Sequence, residues 1–239
     1  MSNPVRIALV AEGKTDRIVI EAAVKALLGE RRFDLKLLQP EDPASTGPFA
    51  IRRPVGWGGV YRWCCESVER AGHLRDDVLK HSYDLVILHV DADVAHSNYA
   101  AAHISNAANP GDLPCDQPCP PPNATTDALR RVILGWANEE VTPPFVVLCT
   151  PSKCVEAWVL AALYPTDPAV TGEGLECHPS PGVLLQVKPA HERLIRSGRK
   201  DAKRYEAKGG DISTAWPVVR QICSEAERFS TELLLAVPN

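Results

Sequence analysis

The side chains best suited to chemistry in this sequence are acids at the ends of apolar runs. Leu85 to Asp93 reads Leu-Val-Ile-Leu-His-Val-Asp-Ala-Asp, an almost unbroken hydrophobic stretch closed by two aspartates one residue apart. A run this short and β-branched, with no polar alternation, predicts a strand buried on both faces. In an open parallel α/β sheet the ligand crevice lies outside the carboxyl ends of the strands, which puts Asp91 and Asp93 at its mouth. A second run, Val5 to Ala11, delivers Glu12 to the same edge. A third, Phe145 to Thr150, leads through Pro151-Ser152 into a helix expected over Lys153 to Leu163, with Glu156 in its first turn. Converging carboxylates repel one another unless a cation sits between them, and hard oxygen ligands suit Mg²⁺ or Mn²⁺. A metal held by Glu12, Asp91 and Asp93 would polarise a phosphoryl oxygen and generate hydroxide for attack, so the pattern points to phosphoryl chemistry.

The segments between these acids set the expected architecture. After Glu12-Gly13-Lys14-Thr15-Asp16, the residues Ile18, Ala22, Ala23, Ala26 and Leu27 recur at helical spacing, with Thr15 or Asp16 placed to cap the start. Phe33 to Leu38 reads as a strand and the Pro/Gly-rich Pro40 to Gly59 as a long loop. Val60 to Ala71 gives a helical face, extended by a turn or two towards Lys80. Ala95 to Ala124 has no periodicity and is rich in Asn and Pro, the pattern of a functional lid or mobile insertion leaving directly from the acidic pair. A helix resumes over Leu129 to Ala137. Beyond Tyr164 the pattern weakens: Pro165 to Pro189 is irregular, Ala190 to Arg196 and Ala202 to Lys208 are short and charged, and Ile212 to Leu235 reads as a closing helix broken near Pro217. The expected fold is a doubly wound, mostly parallel α/β sheet flanked by helices over residues 1–164, with an insertion at about 95–123. Residues 165–239 are expected to form an irregular and helical extension packed on it.

With 239 residues and a net charge of −4, the chain is large enough for a substantial core and is not a generally basic nucleic-acid binder. A phosphate backbone must then be met by a metal or a local basic patch. Lys14 in the turn after Glu12 and Lys153 one helical turn before Glu156 are candidates for this contact, as are Lys200 and Lys203 in a C-terminal stretch where Lys and Arg outnumber acids. The sequence shows neither a secretory leader pattern nor a bilayer-length apolar run, so the expected compartment is the cytoplasm, with no membrane partner. Of the eight cysteines, several stand in apolar contexts (Cys64, Cys149, Cys223) and read as small buried hydrophobes, and no structural disulfide is expected. His103, Cys115 and Cys119, with His96 or with Cys177 and His178, could bind zinc. Cys115 and Cys119 lack a second matching pair, however, and free thiols in a flexible loop are the commoner reading. His89 reads as a satisfied core histidine. Gly13-Lys14-Thr15 ends like a phosphate-binding loop, but the glycine needed five residues earlier is Ala8, which rejects that reading.

Val10-Ala11-Glu12-Gly13-Lys14-Thr15-Asp16 resembles the (V)EGxTD/E turn of Toprim domains, the topoisomerase-primase fold, and Asp91-Ala-Asp93 is similar to that fold's DxD motif. Pro151 to Leu163, with Glu156-Ala157-Trp158, resembles the matching segment of small stand-alone bacterial Toprim-like proteins of the DUF4276 type, which are related to the nuclease half of overcoming-lysogenisation-defect (OLD) proteins. The resemblance covers about the first two-thirds of the chain. It implies a Mg²⁺- or Mn²⁺-dependent nuclease, acting on DNA in preference to RNA, in anti-phage defence beside an ABC- or AAA-type ATPase, with an oligomer possible. By the same resemblance Glu12 is the Toprim glutamate, Asp91 and Asp93 are metal ligands, and Glu156 is an auxiliary acid. Two alternatives stand beside it: a non-catalytic subunit that binds nucleic acid or nucleotide within an ATPase complex, and a primase-like nucleotidyl transferase.

Overall fold

The computed structural model describes residues 3–40, 54–108, 111–172 and 174–238. Its framework is β1 (Val5–Val10), α1 (Lys14–Leu28), β2 (Phe33–Gln39), α2 (Trp57–Ala71), α3 (Leu79–Ser82), β3 (Leu85–His89), α4 (Asn123–Trp136), β4 (Val146–Cys149) and α5 (Glu156–Leu163). The short α6 (Pro168–Thr171) and α7 (Pro181–Gln186) follow, then a hairpin of β5 (Ile195–Arg196) and β6 (Arg199–Lys200), and the long α8 (Ala202–Ile222) and α9 (Ser224–Ala236). The main sheet has four strands in the order β2-β1-β3-β4, all parallel. None of the described helices is long and apolar enough to cross a membrane.

Side-chain alternation splits the interior into two layers. Ile7 and Leu9, Leu85 and Ile87, and Val147 and Cys149 face one core with α1, α5, α8 and α9. Ala8 and Val10, Val86 and Leu88, and Val146 and Leu148 face the other, with α2 and α4. Because successive strand residues point to opposite sides, a strand apolar at every position has to be covered twice, and the doubly wound order of helices provides that cover. The chain moves from β1 outward to β2 and then returns past β1 to β3. The switch point of this sheet therefore lies between β1 and β3, where ligand crevices open in such folds.

The structure corrects several expectations. Pro40 to Gly59 is not all loop, since α2 already begins at Trp57, while residues 41–53 lie outside the described residues. The C-terminal helix runs unbroken from Ala202 through Pro217 to Ile222, so the expected break near Pro217 falls instead at Cys223, and the charged Ala202 to Lys208 segment is its first two turns. Trp216, buried against Trp158 at 5.4 Å between ring centroids and donating from Nε1 to Ser230 Oγ, holds α8 across the proline. The segment after Asp93 is no loose lid. Ile104 is buried in the second core and Leu113 and Cys115 pack against it. Tyr61 Oη donates to the Ala108 carbonyl at 2.8 Å, and Trp136 Nε1 to Tyr99 Oη at 2.8 Å. Gly111 passes so close to α4 that a Cβ there would lie 2.6 Å from Val132 Cγ1.

A disulfide between Cys119 and Cys177, with Cα atoms 5.5 Å apart, overturns the expectation of free thiols throughout and removes both residues from any zinc site. Cys64, Cys149 and Cys223 are free and buried, as their apolar contexts imply. The bond closes a sequence separation of 58 residues and ties the proline-rich strap to the turn at Leu175–Cys177. For a loop of that size the chain-entropy argument gives a stabilisation of about 4 kcal/mol. Unfolding in urea with and without dithiothreitol should show that loss, and Cys119→Ser should be insensitive to the reductant. Equal midpoints for the wild type in both conditions would contradict the bond.

Candidate acidic centre at the sheet switch point

The exits of β1 and β3 are joined by a side chain. Glu12 follows the last residues of β1, and its Oε1 accepts the Asp91 backbone N–H at 2.8 Å. The exits of β3 and β4 are joined by backbone: the Ala92 N–H donates to the Pro151 carbonyl at 3.1 Å and the Asp93 N–H to the Lys153 carbonyl at 2.9 Å. Lys153 stands at φ 63, in the left-handed region, and α5 starts only at Glu156. The expected helix is therefore three residues too long at its start, and Lys153 and Glu156 do not share a helical face. The turn instead aims the Val155 N–H at Asp91 Oδ1, 3.1 Å away. Thr15 and Asp16 do not cap α1 either; Gly13 holds that position without a side-chain bond. A Cβ on Gly13 would lie 3.1 Å from Asp16 Oδ2, tight enough to displace that carboxylate.

Asp16 and Glu156 are 3% and 1% exposed. Their compensating charge comes from the far end of the chain. The β5–β6 hairpin turns through Ser197 and Gly198, both at positive φ, and sends in Lys200. Its Nζ lies 2.8 Å from Glu156 Oε1 and 3.3 Å from Asp16 Oδ1. Burial works against the ammonium, but Glu156, Asp16 and Asp91 outweigh it and hold its pKa above the ordinary lysine value. Tyr205 in α8 donates from its hydroxyl to Glu156 Oε1 at 2.9 Å. Of the other lysines considered for phosphate contact, Lys14 and Lys203 are exposed and Lys153 is half-buried.

His89 and Asp16 are the members of the centre that sequence reasoning misjudged. His89 is fully buried but not satisfied: Nδ1 has no hydrogen-bond partner among the described residues. Its Nε2 sits 3.2 Å from Asp91 Oδ1, outside hydrogen-bonding alignment but close enough for charge attraction. Burial lowers the imidazole's proton affinity, Asp91 raises it, and the net shift is upward. The signal was present in the sequence as a histidine two residues before Asp91 on a strand, which places both side chains on the same face.

The remaining three acids make no ion pair with a lysine or arginine among the described residues. Burial of its carboxyl, reinforced by the Asp91 charge, pushes Glu12 well above the usual carboxylate range. Burial likewise raises Asp91, with His89 partly offsetting it. Asp93 stands at the exposed lip, yet crowding of its carboxyl by protein and the nearby Asp91 charge push it up to about 7. Glu12 Oε2, Asp91 Oδ2 and both Asp93 oxygens carry no hydrogen bond or ion pair among the described residues. As donors these oxygens suit a hard divalent cation. No three His, Cys, Asp or Glu side chains among the described residues are arranged as a ready-made metal cage, so a cation would have to draw Glu12, Asp91 and Asp93 together.

The raised carboxyls make stability depend on pH. Between the ordinary carboxylate pKa of about 4 and the Asp93 value of about 7, the folded state holds a proton that the unfolded chain has lost, so stability falls as pH rises through that window. A divalent cation competes with those protons. Mg²⁺ should therefore raise the unfolding midpoint more at about pH 8 than at about pH 5.5, by about 2.7 kcal/mol at a hundredfold excess over its dissociation constant. Equal shifts at both pH values would mean that the cation binds elsewhere.

Fold and site together define an α/β protein with an acidic centre at the switch point of a parallel sheet. Comparison with protein-family models, curated proteins and solved structures returns no match.

Proposed function

We propose that this chain is a divalent-metal-dependent phosphodiesterase of the Toprim class, a nuclease acting on DNA in preference to RNA. The observation that supports this reading best is the gathering of Glu12, Asp91 and Asp93 at one rim, with proton affinities raised by burial and mutual repulsion and with their second oxygens free. Mg²⁺ or Mn²⁺ held there would polarise the phosphoryl oxygen and activate water. Asp91 and Asp93 would hold the metal, and Glu12 would act as a further ligand or take the proton from that water. The Val155 N–H orients Asp91 through Oδ1, with His89 beside the same oxygen, and Glu12 spans the two strand ends. Glu156 serves through Lys200, whose ammonium places a positive charge beside the same carboxylates.

The test is incubation of the purified protein with plasmid and with single-stranded DNA in Mg²⁺, in Mn²⁺ and in chelator. Cutting that needs the metal and disappears in an Asp91 variant supports the nuclease; cutting unaffected by that variant belongs to a contaminant. A second reading is a non-hydrolysing, nucleic-acid-binding subunit of an ATPase complex, and the Lys200 ammonium lodged among Glu156 and Asp16 favours it, since that lysine already occupies space a second cation would need. Binding without cutting, even after addition of an ATPase partner, selects this second reading.

A further inference from the structure

A groove of about 640 Å³ lies beside the acidic centre, between α1, the outer strand β2 and the start of α8. Its chemistry is divided. Lys14, Arg17, Lys25 and Lys36 stand around it against two acids, Glu21 and Glu206. Arg17 is matched by Glu21 at 3.3 Å, while the three lysines are exposed and make no ion pair among the described residues. The floor is apolar, formed by Ile18, Ala22, Leu35 and Leu37. One end adjoins the acidic centre through the chain itself: Lys14 is the second residue after Glu12, and Ala202 the second after Lys200.

We infer that this groove is a track for single-stranded nucleic acid, holding the nucleotides next to the phosphodiester that reaches the acidic rim. The inference rests on the nuclease reading for its direction towards that rim, but the groove's own composition carries the choice of ligand. Lysines set around an apolar floor match a strand whose phosphates run along the rim while its bases turn inward. A duplex keeps its bases stacked inside and offers only phosphates to a protein surface, which would leave the floor of Ile18, Ala22, Leu35 and Leu37 without a partner. No lining side chain is aromatic, so the bases are held by apolar burial rather than by ring stacking, and the track should be tolerant of sequence.

The test measures binding by the full chain, in chelator to prevent cutting, of a fluorescent oligothymidylate and of a blunt duplex of equal length. The wild type should prefer the single strand. Lys25→Glu combined with Lys36→Glu should weaken single-strand binding about tenfold or more, and should reduce the slope of log affinity against log salt by about 1.4, the loss of two phosphate contacts. Arg62→Glu with Lys80→Glu, an equal charge reversal on elements of the other sheet face, should change affinity by less than about threefold. No single-strand binding by the wild type, equal preference for duplex, or equal weakening by the two double variants would each overturn the track. Parallel cleavage assays in Mg²⁺ separate this result from the nuclease reading. Binding that depends on Lys25 and Lys36 without any metal-dependent cutting leaves the track standing and removes the nuclease; cutting with no dependence on those lysines does the reverse.

Discussion

Asp91→Asn is expected to reduce metal-dependent DNA cleavage by about a thousandfold or more while leaving the protein folded. The amide keeps an acceptor at Oδ1 for the Val155 N–H, 3.1 Å away, so the turn before α5 loses no bond. What disappears is a buried negative charge that burial already disfavours and that repels its Glu12 neighbour. Folding stability near neutral pH should therefore hold or rise. Loss of a ligand that helps stabilise charge in a phosphoryl transition state costs about 4 kcal/mol of activation free energy, which is about a thousandfold in rate. Plasmid relaxation rates and urea midpoints for the two proteins give both halves of the expectation. Cleavage within about tenfold of wild type would remove Asp91 from the chemistry.

Lys200→Met is expected to cost about 3–5 kcal/mol of stability near neutral pH, because it leaves Glu156 and Asp16 buried without their shared cation. The loss arises mainly from the stranded carboxylates rather than from the value of the pair itself. Adding Glu156→Gln to Lys200→Met should thus recover a large part of it, since an amide oxygen at that position still accepts the Tyr205 hydroxyl. Chemical denaturation of the wild type, both single variants and the double variant completes the cycle. Purely additive losses would show that Lys200 and Glu156 do not act as a unit.

The acidic centre was partly legible because a parallel strand covered on both faces announces itself as an apolar run, and its carboxyl end is then known without coordinates. Leu85 to Asp93 and Val5 to Glu12 are such cases, and β1 and β3 are neighbours in the sheet with their ends joined by Glu12. Local rules failed where distant residues decide. Asp16 looked like a helix cap because a short acid in the first turn ordinarily is one, and its ion-pair partner, Lys200, arrives from the far end of the chain. The start of α5 was misjudged because nothing in Pro151 to Val155 shows that Asp91 will claim the Val155 N–H. The strap after Asp93 has no period, so its anchoring through Tyr99, Ile104 and Gly111 depends on surfaces supplied by α2 and α4. Cys119 and Cys177 carry no local sign of pairing, since their approach is made by that same strap and a turn 58 residues away.

The 184 positions separating Asp16 from Lys200 have a consequence for synthesis. As the nascent chain emerges, Asp16 and Glu156 leave the ribosome before the hairpin that neutralises them. Until then the growing protein holds those two acids without the lysine that matches them.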